Sequence, residues 1–315
     1  RDAQESRGLG DVYKRQMPSY KVPATSANIG PGFDCLGMAV NIYNTISFDE
    51  IDSGLDISVT GDGSDVIPLD ESNMAYETAK YFFDKVGYTA KGLKIQIHNY
   101  IPIARGLGSS SSIVVGSLLC ANDIAKTNFS MQEILNIANE IEGHPDNVTP
   151  ALVGSITASV ILDGKVEYKK ITPPDMLDTI VLIPSYEMST AQARKILPRI
   201  YDREDCIYNV SRASLLIMAM ITSDYDLLSK VVDDKIHQPY RKSLIAEYDF
   251  FQQTMKKKGA LATFISGSGS TLMAFCHKSM SQEIFEGLKE ECAKNDIKAD
   301  IKILSPIKDG AIKIN

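Results

Sequence analysis

Residues 102–112, PIARGLGSSSS, form the most informative segment of the chain. The segment follows a β-rich run, LKIQIH (93–98), and continues into an apolar run, IVVGSLLCANDIA (113–125), that predicts a helix. Glycines allow the backbone to turn tightly and to approach a ligand, and the unpaired N–H groups in the first turn of a helix attract phosphate. The sequence therefore predicts an anion site between a strand and a helix.

This predicted anion site differs from the two common nucleotide-binding motifs. A Walker motif requires Gly-Lys-Ser or Gly-Lys-Thr, which occurs nowhere in the chain, and no Gly-x-Gly-x-x-Gly opens a helix after a strand. A glycine-rich turn with serine caps would be the better explanation for an isolated Gly-x-Gly. The full pattern with its flanking strand and helix favours a phosphate-binding loop of another type.

The composition is typical of a folded globular protein. The 315 residues suggest two domains, and contents of 44% apolar and 23% charged residues exclude disorder and fibrous repeats. The net charge of -7 argues against nucleic acid as a partner. The longest apolar runs fall short of the roughly 18 residues that a membrane-spanning helix needs, so we expect no membrane partner.

Cysteine usage and the first residues bear on location. The five cysteines are widely spaced, odd in number and without a Cys-x-x-Cys pair, which argues against zinc sites and disulfides and predicts a reducing, cytoplasmic location. Residues 1–16 are polar, precede Met17 and lack the apolar segment of a signal peptide. We interpret them as a non-native leader.

A proline-rich break, TPPDM (172–176), divides the chain. It predicts an N-terminal domain over 17–172 and a C-terminal domain over 173–315. In the first, the pattern predicts a helix over 74–86 with Ser72 as its cap. In the second it predicts three helices, over 203–222, 224–234 and 240–258. The strands between the helices are spaced too irregularly for a parallel α/β array, so we predict two α+β domains.

Three further segments are rich in small, polar or charged residues. EGHPDNV (142–148) could bind Mg²⁺ or a polar substrate, or it could stop one helix and cap the next. FISGSGST (264–271) could bring backbone amides to a phosphate or form a hairpin turn. ATSANIGPGFD (24–34) could line a cleft or form a loop. The residues alone leave these alternatives open.

In this order and at these separations, the segments resemble the three signature motifs of the GHMP kinases, named after galactokinase, homoserine kinase, mevalonate kinase and phosphomevalonate kinase. The resemblance spans nearly all of residues 17–315. PIARGLGSSSS is similar to the phosphate-binding motif of this superfamily, and SGSGST (266–271) to its C-terminal glycine motif. Within the superfamily the chain resembles the homoserine kinases in four segments, ATSANIGPGFDCLG (24–37), EGHPDNVTPALVG (142–154), STAQARKILP (189–198) and HQPYR (237–241).

The resemblance implies a two-domain α+β fold, with a phosphate loop in the N-terminal domain and a ferredoxin-like C-terminal domain. It also implies that ATP transfers its γ-phosphate to the side-chain hydroxyl of L-homoserine, on the route to threonine, with Mg²⁺ as the cofactor and a homodimer as the assembly. Two alternatives are another GHMP-type small-molecule kinase and a non-catalytic sensor of nucleotide or amino acid on the same fold.

The resemblance further implies roles for individual residues. Ser110 and Glu142 would hold the metal, Asn73 would contact the nucleoside, and Asn147 and Thr190 would lie near the transferring phosphoryl group. The residues expected to surround homoserine are Asn28, His144, Asp146, Arg194 and Arg241. The amides of Gly106 to Ser111 would wrap the phosphates. Besides Asn73, the residues expected to bind ATP are Pro102, Ile103, Ala104, Arg105, Gly106, Leu107, Gly108, Ser109, Ser110, Ser111, Ser112, Gly267, Ser268 and Gly269.

The charges of homoserine provide a physical check on this assignment. Because homoserine is a zwitterion, its pocket needs cations for the carboxylate and an acceptor for the ammonium group. Arg194 and Arg241 suit the first need, and Asp146 suits the second. In mevalonate kinase-like relatives a similar aspartate is treated as a base. A loose phosphoryl transition state needs little early proton removal, so we favour catalysis by positioning without a dedicated base.

Overall fold

The computed structural model describes residues 17–314, so the predicted leader at 1–16 lies outside the described residues. The described strands are β1 (Ser19–Ala27), β2 (Leu36–Glu50), β3 (Gly54–Gly61), β4 (Gly92–Asn99), β5 (Ile156–Leu162), β6 (Lys165–Ile171), β7 (Leu177–Pro184), β8 (Ala262–Ile265), β9 (Leu272–His277), β10 (Ala299–Leu304) and β11 (Ile312–Lys313). The described α-helices are α1 (Met74–Val86), α2 (Ser109–Ala125), α3 (Met131–Glu142), α4 (Pro145–Val153), α5 (Thr190–Lys195), α6 (Arg203–Thr222), α7 (Tyr225–Val231), α8 (Gln238–Arg241), α9 (Tyr248–Lys257) and α10 (Ser281–Lys294). Both halves combine runs of strands with runs of helices, and the predicted α+β class is confirmed.

The first sheet is built around the long strand β2. Its strand order is β11-β1-β2-β4-β3, and β5 pairs with β2 and with β6. The second half of β2 pairs with β4, while its first half pairs with β5. β3 and β4 run parallel because α1 crosses over between them. Helices α1 to α4 cover one face of this sheet with a core that includes Phe48, Phe82, Val115 and Leu135.

The second sheet has the order β10-β7-β9-β8 and is antiparallel throughout. With helices α5 to α9 between β7 and β8, and α10 between β9 and β10, the order of the four strands is the ferredoxin-like arrangement. One face of this second sheet shares a core with the first sheet and α6. In this core Met38 and Val40 meet Val181, Leu216 and Met273. The two halves of the chain therefore pack directly against each other.

Helix boundaries follow local signals with three exceptions, the first being that α2 begins at Ser109, four residues before the apolar run at 113–125 that predicted it. The predicted helix over 203–222 is confirmed as α6. The cap of α1 is Asn73, whose side chain accepts a hydrogen bond from the Ala75 amide, so the prediction of Ser72 is wrong by one residue. The single helix predicted over 240–258 is also wrong, because the chain breaks between α8 and α9 at Ile245, which is extended and buried in the core of the second sheet.

The chain after β10 returns to the first sheet. β11 pairs with β1, and the Ser155 amide donates to the Ile307 carbonyl. A two-residue strand carries no pattern, so the sequence could not indicate this return. Within residues 17–314, no helix combines the length and apolar character needed to cross a bilayer.

Candidate active site

A cavity of about 310 Å³ lies where the two halves of the chain meet. Its wall comes from the turn after β1, the loop before α2, the junction of α3 and α4, α5, α8 and the turn after β8. It brings together most of the residues that the sequence assigned to a site, namely Asn28, Pro102, Ala104, Arg105, Gly106, Leu107, Gly108, Ser109, Ser110, Ser111, Glu142, His144, Asp146, Asn147, Thr190, Arg194, Arg241, Gly267 and Ser268. The cavity therefore joins segments that lie far apart in the chain.

The loop before α2 turns at two glycines in the left-handed region, with φ of 78° at Gly106 and 68° at Gly108. Helix α2 begins at Ser109, and no described side chain caps it. The amides of its first turn therefore lack intrahelical acceptors. Residues 109–111 line the cavity, so the positive end of the helix dipole faces it.

Four consecutive carbonyl groups of this loop, at residues 104–107, are held by neighbouring segments. The accepting carbonyls and their donors are Ala104 with the Met188 amide (2.9 Å), Arg105 with the Thr271 amide (3.0 Å), Gly106 with Ser266 Oγ (2.6 Å) and Leu107 with the Thr25 amide (3.0 Å). Three of the four donors belong to the C-terminal half. The second half of the chain thus fixes the orientation of the loop, and a Cβ atom at Gly106 would collide with the carbonyls of Ser266 and Gly269.

The Arg105 side chain reinforces this hold. Its guanidinium donates to the carbonyls of Pro184 (3.1 Å), Ile103 (3.0 Å) and Ser185 (2.7 Å), and it lies 3.7 Å from the Glu187 carboxylate. Because these bonds use all three guanidinium nitrogens, the side chain ties the loop to the end of β7. Arg105 lines the cavity, but its charge is already engaged by protein groups.

Ser110 and Glu142 meet beside the first turn of α2. Ser110 Oγ donates a hydrogen bond to Glu142 Oε1. Glu142 is the last residue of α3, and Gly143, in the left-handed conformation, ends that helix. One hydroxyl and one carboxylate oxygen therefore face the predicted phosphate site from two different helices.

The opposite end of the cavity is charged. Arg194, on α5, forms a bidentate ion pair with Asp34, at 2.8 and 2.7 Å. Both side chains are about one third exposed. The pair joins the C-terminal half to the turn between β1 and β2, at the rim of the cavity.

Arg241, on α8, is deeply buried, with 2% of its surface exposed. Its Nε donates to the Ala193 carbonyl (3.2 Å) and its Nη1 to the Gly267 carbonyl (3.0 Å). Burial, followed by repulsion from Arg194, lowers the pKa of Arg241 to about 10, so the group stays charged at neutral pH. Two guanidinium groups with nearby carboxylates thus line one end of the cavity.

Asp146 lies in the first turn of α4 and is 2% exposed. Its Oδ1 bonds to Nδ1 of His144 at 2.7 Å. This hydrogen bond, together with the negative charge of Asp146, raises the pKa of His144 although burial opposes the shift. Next to it, Asn147 Oδ1 accepts a hydrogen bond from Thr25 Oγ1 (2.8 Å).

Asn28 has a positioning contact on each side of its amide. Its Nδ2 donates to the Gly267 carbonyl (2.8 Å), and its Oδ1 accepts from the Asp34 amide (3.0 Å). Thr190 begins α5, with its Oγ1 3.4 Å from Ser268 Oγ. These residues line the wall between the phosphate loop and the charged end.

Four of the predicted ligands do not reach the cavity. Asn73 is buried, and its side chain both caps α1 and donates to the Pro68 carbonyl, which leaves no surface for a nucleoside. Ser112 bonds to Asn44 and to the Ser109 carbonyl on the buried side of α2. Ile103 and Gly269 also lie outside the cavity wall.

The glycine turn after β8 differs from its predicted role. The Gly267 amide donates to the Ala27 carbonyl, and the Gly269 amide to the Ser266 carbonyl, so neither is available to a phosphate. Instead, the Gly267 carbonyl accepts from both Asn28 and Arg241. We correct the assignment of Gly267 and Gly269 from phosphate donors to a support for the charged end.

Sequence reasoning missed four residues that shape the cavity. Asp34 is the last residue of the segment ATSANIGPGFD (24–34), and its negative charge could have been matched with the ammonium group of a zwitterion. Thr25 and Ser266 hold the loop through hydrogen bonds between distant segments, which no local pattern reveals. His237 belongs to the quoted HQPYR segment, but its contacts depend on tertiary packing.

The fold, the uncapped α2 terminus beside a carboxylate and the motif order define a small-molecule kinase of the GHMP class. The family model "GHMP kinases N terminal domain" matches residues 73–155, and the model "GHMP kinases C terminal" matches residues 216–294. Within this class the chain belongs to the homoserine kinase family. It is 42% identical to a homoserine kinase from Clostridium botulinum, covering 95% of this chain and 99% of that protein, and 40% identical to one from Moorella thermoacetica, covering 95% and 100%.

Solved structures support the same grouping. A crystal structure of homoserine kinase from Cytophaga hutchinsonii superimposes with a TM-score of 0.85 at 25% identity, covering 99% of this chain and 100% of that one. The L. major mevalonate kinase in complex with R-mevalonate has a TM-score of 0.72 at 17% identity, covering 91% and 95%. The second likeness concerns the fold alone.

Proposed function

We propose that this protein transfers the γ-phosphate of ATP to the side-chain hydroxyl of L-homoserine and releases O-phospho-L-homoserine and ADP. One observation carries the proposal: a single cavity joins an uncapped helix N-terminus to a pocket that holds two arginines and two aspartates. The first feature suits a polyphosphate, and the second suits a small amino acid. The two relatives described above are both homoserine kinases by name.

The phosphate end fits Mg²⁺ in the chemistry of its donors. Ser110 and Glu142 offer one hydroxyl and one carboxylate oxygen. Residues 17–314 contain no group of three or more His, Cys, Asp or Glu side chains that could hold a metal ion without a substrate, so these two oxygens would bind the ion together with the phosphates of ATP. Mg²⁺ in kinases is often bound through one or two protein oxygens together with substrate phosphates. A bound Mg²⁺ would neutralise charge on the phosphates. The chain's own amides at 109–111 add the positive potential of the α2 N-terminus to the same end of the cavity.

The charged end supports a zwitterion rather than a neutral sugar or a simple hydroxy acid. Arg194 and Asp34 pair with each other at the rim. A zwitterion can replace this pair with two new ones, its carboxylate on Arg194 and its ammonium group on Asp34. A ligand with only one charge would break the pair and leave one partner without compensation, at a cost that solvent screening reduces because both side chains are about one third exposed.

Arg241 and Asp146 would complete the recognition of homoserine. Arg241 is buried and fixed by two carbonyls, so it loses little conformational entropy on binding a carboxylate. Asp146 stands beside His144 at the N-terminus of α4 and adds a second acceptor for the ammonium group. Asn147 and Thr190, between the two ends, would orient the hydroxyl and the γ-phosphate.

The arrangement favours catalysis by positioning. A loose transition state gains most from alignment of the hydroxyl with the γ-phosphate and from neutralisation of its charge. Asp146 is hydrogen-bonded to His144, which suits a substrate ligand better than a base that must accept a proton from the substrate.

The exchange Asp146→Asn separates these two roles for the aspartate. We expect it to raise the homoserine KM about tenfold, with kcat within about threefold, because a charged contact is lost. Steady-state kinetics against both substrates measure this split. A fall in kcat by several orders of magnitude at an unchanged KM would identify Asp146 as the base.

An ADP-release assay with MgATP tests the function itself. We expect turnover with L-homoserine to exceed that with mevalonate and shikimate by at least about 100-fold, because neither competitor carries an ammonium group. A preference for another alcohol would make the protein a different GHMP kinase. An absence of turnover with all of them at millimolar concentration would favour the sensor.

The place in metabolism follows from the product. We propose that the reaction serves threonine biosynthesis and that the protein works in the cytoplasm, where ATP is available and where five free cysteines remain reduced. Loss of the gene should produce a requirement for threonine. Growth without threonine would contradict this assignment.

We also propose that the chain forms a homodimer through an apolar stripe on α6. The stripe consists of Ile207, Val210, Leu215, Met218 and Ile221, which are 44–67% exposed. A continuous exposed apolar stripe of this kind is typical of a protein–protein interface, and each partner of a standard dimer buries ~800 Å². Light scattering should show a dimer for the wild type and a monomer for Met218→Glu; a monomeric wild type would overturn this assembly.

A further inference from the structure

The segment from Asp234 to Arg241 is fixed by an internal network. The buried Asp234 carboxylate accepts the amides of Ile236, His237 and Gln238, at 3.0, 2.9 and 2.6 Å. The Gln238 side chain in turn accepts the Ile265 amide at 2.8 Å. Helix α8 is therefore held in place although it is only four residues long.

His237 stands between the two walls of the homoserine pocket. It is completely buried, and its ring stacks on Phe33 with centroids 5.3 Å apart. Nε2 lies 2.8 Å from the Gly30 carbonyl oxygen, and Nδ1 lies 3.3 Å from Nη1 of Arg241. The ring thus touches the turn after β1 on one side and the buried arginine on the other.

These partners determine the protonation of the ring. A carbonyl oxygen can only accept a hydrogen bond, so Nε2 carries the hydrogen. A guanidinium can only donate, so Nδ1 presents its lone pair. Burial is the main factor that lowers the pKa of His237, and the charge of Arg241 adds to it, while Asp234 and Asp34 oppose it. The imidazole is therefore neutral at physiological pH.

This contact completes the hold on the Arg241 guanidinium. Nε points to the Ala193 carbonyl, and Nη1 is shared by the Gly267 carbonyl and His237. No described residue within 17–314 accepts a hydrogen bond from Nη2, which leaves that nitrogen to bind a ligand oxygen. We propose that His237 is a positioning residue, whose neutral imidazole links the Gly30 carbonyl to Arg241 and so aims the guanidinium at the substrate carboxylate.

The inference rests on the proposed function and can be tested by separating the two ring nitrogens. In His237→Asn the shorter amide reaches the position of Nδ1 and keeps an acceptor for Arg241. In His237→Gln the longer amide reaches the position of Nε2 and keeps only the donor to Gly30. His237→Phe removes both groups and keeps an aromatic ring against Phe33.

We expect His237→Phe and His237→Gln to raise the homoserine KM about tenfold, and His237→Asn to stay within about threefold of the wild type. The ATP KM and kcat should stay within about threefold in all three variants. Combined with Arg241→Lys, His237→Phe should add no further increase in KM, since the two residues would act through one contact. A merely structural role would not produce this selective effect or its rescue by asparagine.

Thermal unfolding of each variant monitors the fold; if His237→Phe does not fold, the comparison of His237→Asn with His237→Gln decides. The inference is overturned if these two variants have equal homoserine KM values, or if the KM values for homoserine and ATP rise by the same factor. If the wild type phosphorylates homoserine and His237→Phe has the wild-type homoserine KM, this inference is overturned while the proposed function stands. Absence of homoserine turnover by the wild type overturns the proposed function, and this inference with it.

Discussion

The two ends of the cavity are built from different parts of the chain. The phosphate end is built mainly from backbone amides of one continuous segment, residues 106–111, beside the Ser110 hydroxyl and the Glu142 carboxylate, while the amino-acid end consists of charged side chains from the turn after β1, α4, α5 and α8. A site made of amides depends on backbone shape and tolerates no added atom where segments touch. A site made of side chains depends on charge and on hydrogen-bond partners. The two ends should therefore respond to different kinds of substitution.

The largest effect is expected from Gly106→Ala. The new Cβ would meet the carbonyls of Ser266 and Gly269 at a residue with φ of 78°, so the loop must shift. We expect kcat/KM for ATP to fall on the order of 10³-fold, because displaced amides no longer match the phosphates. Gly87→Ala is the matched control, since Gly87 has φ of 69° and no atom within 4 Å of a built Cβ. If kcat/KM for ATP in Gly106→Ala stays within threefold of the wild type, the loop does not need glycine at this position.

The next effect concerns the metal. Glu142→Gln keeps the size of the side chain and removes its charge, so we expect kcat to fall about 100-fold and the Mg²⁺ concentration for half-maximal rate to rise. Glu140→Gln is the control, because Glu140 lies on the same helix but pairs with Lys85 at the surface. Titration of activity with MgCl₂ measures the shift. An unchanged Mg²⁺ dependence would remove Glu142 from the metal site.

A smaller and more selective effect is expected at the amino-acid end. Arg194→Lys replaces a bidentate contact by a point charge, so the homoserine KM should rise about 30-fold while the ATP KM stays within about threefold. Arg203→Lys, at a highly exposed arginine, serves as the control. Equal increases for both substrates would contradict the division of the cavity into two ends.

The smallest effect is a pH dependence of stability at His144. The hydrogen bond to Asp146 raises its pKa above the ordinary value of about 6.5. A raised pKa in the folded state stabilises the protein below about pH 6.5, and this contribution is lost as the pH rises through the folded-state value. The wild type should therefore exceed His144→Gln in unfolding temperature most clearly near pH 5.5 and least near pH 8.5. A constant difference across this range would show that the pair does not titrate.

The same contrast explains which expectations were sound. The loop at 102–112 could be located because glycine turns follow from local residue types, whereas α2 begins at Ser109, four residues before the apolar run from which the sequence predicted it. The glycine turn at 267–269 was misassigned because its amides are used by Ala27 and Ser266, which no local pattern shows. Asn73 was misassigned for the same kind of reason, since its side chain is consumed in capping α1.

The order of residue types specifies the class of this chain through an apolar helix after a glycine turn, two arginines and one aspartate, Asp146, at the expected places, and a family resemblance that the comparisons confirm. Packing of the two halves adds what those residues could not show. It decides that Ser266 and Thr271 orient the loop, that Asp34 pairs with Arg194, and that His237 contacts the Gly30 carbonyl. The difference arises because turns and helix ends depend on neighbours in the chain, whereas contacts between segments more than 100 residues apart exist only after the cores have packed.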